Sequence, residues 1–169
     1  MDTQLKDFLE IPYTELERLN LESKKRRIEN FGKDNTLLKK YYIQYLQKET
    51  RIKAVTVSFT DLEGKFHMLD YDKDYILESN DNLTFDGSSV KGFTQTAESD
   101  LRLKLDWSAF YWLPSDIFGP GKVMVFAEVY TSEGKPHSSD FRSRLREYTR
   151  QLYKKENYLI MAANEIEGV

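Results

Sequence analysis

"RIKAVTVSFTDLEGKFHMLDY", residues 51–71, is the stretch that decides the architecture. Residues 51–59 alternate with a period of two and are rich in β-branched side chains, the pattern of a strand with one buried face. Asp61 to Lys65 carry turn chemistry, with Gly64 where a positive φ costs little. Residues 65–71 then alternate again, with Phe66, Met68 and Tyr71 against polar neighbours. The stretch predicts a β-hairpin. His67 lies inside its second strand with no acid cluster, cysteine or second histidine at ligand spacing beside it. It reads as a strand-face residue, not a metal ligand.

Upstream the character is helical. Residues 14–31 predict a helix, with Thr14 and Glu17 in a capping-box pattern and Gly32 as a stop. Residues 35–49 predict a second one, with Leu37, Leu38, Tyr41, Tyr42, Tyr45 and Leu46 on a broad apolar stripe. Joined through residues 32–35, the two make an N-terminal helical hairpin. The basic run Lys24–Arg27 reads as a solvated helix face, because acids elsewhere in the first fifty residues nearly balance it.

Downstream, residues 72–82 are polar and read as a loop. Residues 83–85 form a short strand ending at Asp86. Two further strand candidates follow, one over Leu101, Leu103 and Leu105 and one in the aromatic run 107–112. A turn at 119–122 precedes a strongly apolar strand at 123–131. Residues 132–139 are loop. Residues 141–156 predict a helix with Phe141, Leu145, Tyr148 and Leu152 on one stripe, capped by Ser139 or Asp140. A last strand is expected from Tyr158. It meets the end of the chain without turn residues, and this helix and strand look like the opening of a further domain. The chain is therefore expected to be a fragment or a truncated product.

Composition narrows the function classes. The net charge of −3 supplies no basic footprint for nucleic acid. The absence of cysteine excludes disulfides and thiolate metal sites. No apolar run reaches membrane-spanning length, and residues 1–10 lack a signal peptide's pattern, so a cytoplasmic location is expected.

Two stretches carry chemical interest. In Asp86-Gly87-Ser88-Ser89 a strand delivers a carboxylate to a glycine turn flanked by hydroxyls. Such a group can attract a cation or accept its proton. It can equally close an Asx or ST turn on its own backbone. Gly87 and Gly92 bracket the segment, so it could also close as a flap. In Asn164-Glu165-Ile166-Glu167 two carboxylates would share one face of a strand, about 6.6 Å apart at roughly 3.3 Å per residue. That pair suits a hard divalent cation, or stands solvated at a surface.

Residues 85–93, FDGSSVKGF, followed by ESDL at 98–101, resemble the signature of the glutamine synthetase family. Asp106 and Pro114, the stretch 123–142 and NEIEG at 164–168 keep that family's order, so the resemblance spans about residues 51–169. It implies an α+β chain: a β-grasp-like mixed sheet preceded by the helical hairpin and followed by the truncated start of a catalytic α/β domain. The boundaries expected are 1–50, 51–137 and 138–169. It implies an ATP-dependent ligase joining ammonia to the glutamate side chain through a γ-glutamyl phosphate, with the isolated chain inactive. Asp86 and Ser89 would belong to the ammonium site of an adjacent subunit in a ring oligomer. Glu165 and Glu167 would hold Mg²⁺ or Mn²⁺. Glutamate, ammonium and ATP would be the ligands, with no nucleic acid or membrane partner. Phe141, Leu105 and Gly168 depart from the family's usual residues, as do the first fifty residues. A non-catalytic assembly or regulatory paralogue, or a related γ-glutamyl-amine ligase, are the alternatives.

Overall fold

The computed structural model describes residues 9–33, 35–93, 100–163, 165, 167 and 168. Five strands, β1 (Ala54–Thr60), β2 (Phe66–Asp72), β3 (Leu83–Asp86), β4 (Asp100–Trp112) and β5 (Lys122–Tyr130), form one mixed sheet in the order β2-β1-β5-β4-β3. The β1–β2 hairpin is antiparallel and forms where the alternation predicts it. β1 and β5 pair in parallel at the centre of the sheet, and the remaining pairs are antiparallel. This is the expected α+β class with a mixed β-grasp sheet.

Period-two alternation sorts the side chains to two faces. Val55, Val57, Phe59, Val123, Val125, Ala127 and Val129 are buried on one of them. On the other, Ser58 stands opposite both Met68 and Phe126, and Thr56 opposite Met124. Helices cover the first face. These are α1 (Tyr13–Glu29), α2 (Thr36–Lys48) and α3 (Lys73–Ser79); α4 (Ser115–Phe118) is a single turn and α5 (Phe141–Glu156) follows the last strand. Tyr42 of α2 lies stacked on Phe110, with ring centroids 4.3 Å apart. The indole N–H of Trp112 donates to the Tyr45 hydroxyl at 2.7 Å. The burial that seats Tyr45 also raises its phenol to about 12, although the bond from Trp112 opposes the shift.

Several local expectations are corrected. α1 begins directly after Pro12, with no side-chain cap, so Thr14 lies inside the first turn and the capping box does not form. Pro12 is itself the N-cap, with an extended ψ of 148°, so the helical backbone starts at Tyr13. The expected loop at 72–82 contains α3, capped by the Asp72 carboxylate, which accepts from the Asp74 and Tyr75 amides. The two strand candidates at 101–112 are one strand, with a bulge between Leu105 and Phe110. The last strand does not form among the described residues, and Tyr158, Leu159, Ile160 and Met161 are exposed. A strand needs a neighbour to receive its ladder bonds, and no strand here pairs with that segment.

Candidate functional site

β3 runs antiparallel to β4 and ends at Asp86, opposite Asp100. The backbone then tightens into a 3₁₀ turn over Gly87–Ser89. One oxygen of the Asp86 carboxylate, Oδ1, accepts from the Ser88 amide at 2.9 Å and the Ser88 hydroxyl at 2.6 Å. The Ser89 hydroxyl donates to the Asp86 backbone carbonyl at 2.7 Å, not to its carboxylate. The Asx turn and the exposed carboxylate therefore coexist. The bonds from Ser88 hold the Asp86 carboxyl below the usual carboxylate range. Among the described residues, no hydrogen bond reaches Oδ2 of this exposed carboxylate.

Downstream, buried Val90 and Phe93 anchor the loop. Phe93 sits among Phe59, Phe85 and His137, with ring centroids 5.1–6.4 Å away. The Lys91 ammonium pairs with Glu63 in the β1–β2 turn. Gly92 lies at φ +86° against Leu62 of the same turn. That turn is itself fixed by Asp61, a buried carboxylate that accepts from the Glu63 and Lys65 amides, both at 2.9 Å. His67 Nε2 lies 2.8 Å from the other Asp61 oxygen, and its ring stacks on Phe59. His67 is a strand-face residue, as expected, but it has an acid partner from the turn. The hydrogen bond to His67 leads in holding the Asp61 carboxyl low.

Glu165 and Glu167 are exposed and lie outside any strand, so the shared strand face expected for them is absent. No hydrogen bond or ion pair among the described residues links either to Asp86. Glu98 and Ser99 of the ESDL stretch fall outside the described residues. Among the described residues, no three His, Cys, Asp or Glu side chains gather as a metal site.

Sequence reasoning did not anticipate a buried charge cluster beneath α5. The bulge in β4 places Asp106 against Arg142 at 2.6 Å, and Arg146 reaches Glu128 of β5 at 2.5 Å. Asp140 caps α5 by accepting from the Ser143 amide at 3.1 Å and also accepts from the Val129 amide at 3.2 Å. α5 therefore meets the sheet with its charged face. Its apolar stripe, Phe141, Leu145 and Tyr148, points outward with exposures of 54%, 62% and 59%. The only sequence signal for this inversion was the spacing of Arg142 and Arg146, which any solvated helix face also shows.

Residues 51–132 match the family model described as the glutamine synthetase β-grasp domain. The chain is 37% identical over 128 residues to a glutamine synthetase of Thermotoga maritima, covering 74% of this chain and 28% of the relative. It is 32% identical over 108 residues to one from Methanosarcina mazei, covering 63% of this chain and 24% of the relative. The fold is similar to that of a Plasmodium falciparum glutamine synthetase, with a TM-score of 0.60 at 19% identity, over 68% of this chain and 22% of that one. The chain thus spans about a quarter of the length of the relatives it matches. Among the described residues, no helix is long and apolar enough to cross a membrane.

Proposed function

Because the chain belongs to the glutamine synthetase family, through a β-grasp domain at residues 51–132, we propose that the whole protein is an ATP-dependent ligase that joins ammonia to the side chain of glutamate. The observation that carries this reading is the Asp86 turn. It presents an ionised carboxylate, held low by Ser88 and exposed at the strand end, inside the matched segment. Ammonium is mostly protonated at neutral pH, so the site that uses it must attract a cation and take a proton from it. Asp86 performs both roles through its exposed carboxylate, and Ser89 holds the backbone of the turn. The carboxylate acts on the active site of an adjacent subunit in a ring oligomer, located in the cytoplasm.

The donor chemistry of Glu165 and Glu167 fits Mg²⁺ or Mn²⁺, since both offer hard carboxylate oxygens, and further ligands come from elsewhere in the whole protein. A divalent ion there would neutralise phosphate charge while ATP activates glutamate as a γ-glutamyl phosphate. The outward apolar face of α5 supports the reading as well. A helix bound to the sheet by its charged side suits a place between the β-grasp domain and a catalytic domain packed on its other side.

The test is steady-state kinetics on the whole protein. Asp86→Asn should lower kcat/KM for ammonium by about a hundredfold or more, within the usual 10²–10⁴ range for a proton acceptor, with little change in KM for ATP. An unchanged ammonium dependence would reject the assignment. Residues 1–169 alone should release no phosphate from ATP in the presence of glutamate.

A further inference from the structure

We infer that Leu62 and Gly92 are positioning residues for the Asp86 carboxylate: the tip of the β1–β2 turn is a seat on which the Asp86 loop rests. The inference depends on the assignment of Asp86 to the ammonium site. The seat is rigid, because the buried Asp61 side chain gathers two amides and His67, while backbone bonds link Asp61 and Lys65, and Gly64 and Asp61. The loop is held at its far end by Phe93 and tied sideways by the Lys91–Glu63 pair. Between these, the backbone of Gly92 lies directly on the Leu62 side chain. A Cβ at Gly92 would stand 2.3 Å from Leu62 Cδ1, 2.8 Å from Cγ and 3.2 Å from Cβ. A rotamer change at Leu62 moves Cγ and Cδ1 but not Cβ, so a side chain at 92 makes Leu62 turn away and the loop shift against the turn by a few tenths of an ångström. The φ of +86° adds a second reason for glycine. Leu62 is 40% exposed at the end of a hairpin, where a polar residue would serve the turn equally well. Its apolar surface forms the floor under Gly92.

The consequence is kinetic. Catalysis at a bound cation tolerates little displacement of the attacking geometry, and a shift of about 1 Å can cost a hundredfold. In the whole protein, Gly92→Ala should lower kcat/KM for ammonium by about ten- to a hundredfold while leaving KM for ATP unchanged. Leu62→Ala combined with Gly92→Ala should recover part of that loss, because the Cγ and Cδ1 contacts are removed while the Cβ contact and the positive φ remain. Should Gly92→Ala fail to fold, Leu62→Ala alone carries the test: a severalfold loss in ammonium kcat/KM with an unmoved melting temperature. Equal losses for ammonium and ATP would mark general damage and overturn the proposal. So would a silent Gly92→Ala beside an impaired Asp86→Asn, which would leave the ligase reading standing. If Asp86→Asn is also silent, the ligase site itself is misplaced and the seat loses its role with it.

Discussion

Glu128 and Asp106 lie in one buried cluster, yet their carboxyls are driven in opposite directions. Burial pushes Glu128 above the usual range despite the opposing charge of Arg146, and its Oε1 has no hydrogen-bond partner among the described residues. Burial pushes Asp106 the same way, but its bonds from Ser108 and the charge of Arg142 outweigh it and hold the group low. The signs follow by linkage. The contribution of Glu128 is present below the ordinary carboxylate pKa and is lost as pH rises through its raised folded value. That of Asp106 is present above the ordinary value and is lost as pH falls through its lowered one. Glu128→Gln should therefore change stability at pH 7 by less than about 1 kcal/mol and flatten its decline on raising the pH, since Arg146 is 43% exposed and can return to water. Asp106→Asn should cost about 1–3 kcal/mol at pH 7, because it removes the charge partner of Arg142, whose buried Nε has no hydrogen-bond partner among the described residues. Urea unfolding at pH 5 and pH 7 reads both. A third residue-scale outcome concerns the site. Ser88→Ala should move the Asp86 carboxyl up toward its ordinary value, followed by carboxyl NMR titration, and an unmoved midpoint would show that Ser88 does not hold it.

At the scale of elements, the informative case is α1. β3 pairs only with residues 100–103 of β4, so the later half of β4 has no strand on that side. α1 occupies the gap. The Asn20 amide donates to the Trp112 carbonyl at 3.0 Å, and its carbonyl accepts from the Trp112 amide at 3.1 Å. The Ser23 hydroxyl reaches the Phe110 carbonyl at 2.9 Å and lies 2.9 Å from the Tyr42 hydroxyl. One side chain thus reproduces the paired bonds of a neighbouring strand, which guards an edge otherwise open to another chain. Asn20→Leu should cost about 1–3 kcal/mol and promote self-association, read by thermal melting and sedimentation velocity. Other elements were legible to different degrees. The hairpin and α5 stand out because period two and a Ser-Asp cap are local signals. α3 did not, because seven residues give too short a window for helical periodicity. The strand expected from Tyr158 is missing among the described residues for the opposite reason: its residues favour a strand, but no described strand pairs with it.

On the scale of the whole molecule, the two faces of α5 have separate tasks. Its arginines attach it to the sheet, and its apolar stripe contributes little to the stability of residues 1–169. Leu145→Glu should accordingly leave the melting temperature of this chain unchanged while lowering that of the whole protein, as measured by differential scanning calorimetry. A drop in the chain's own melting temperature would place the stripe inside this fold instead. What the sequence alone determined were the hairpin, the helices with strong periodicity, the family and the carboxylate at the end of β3. Alternation, caps and motif spacing are properties of neighbouring residues and need no tertiary partner. Only the tertiary structure decided that α1 guards β4, that α5 is inverted, that no strand forms among the described residues after Tyr158 and that Gly92 rests on Leu62. Each depends on groups far apart in the chain, whose contact is fixed by which backbone edges and buried charges must find partners when the sheet closes.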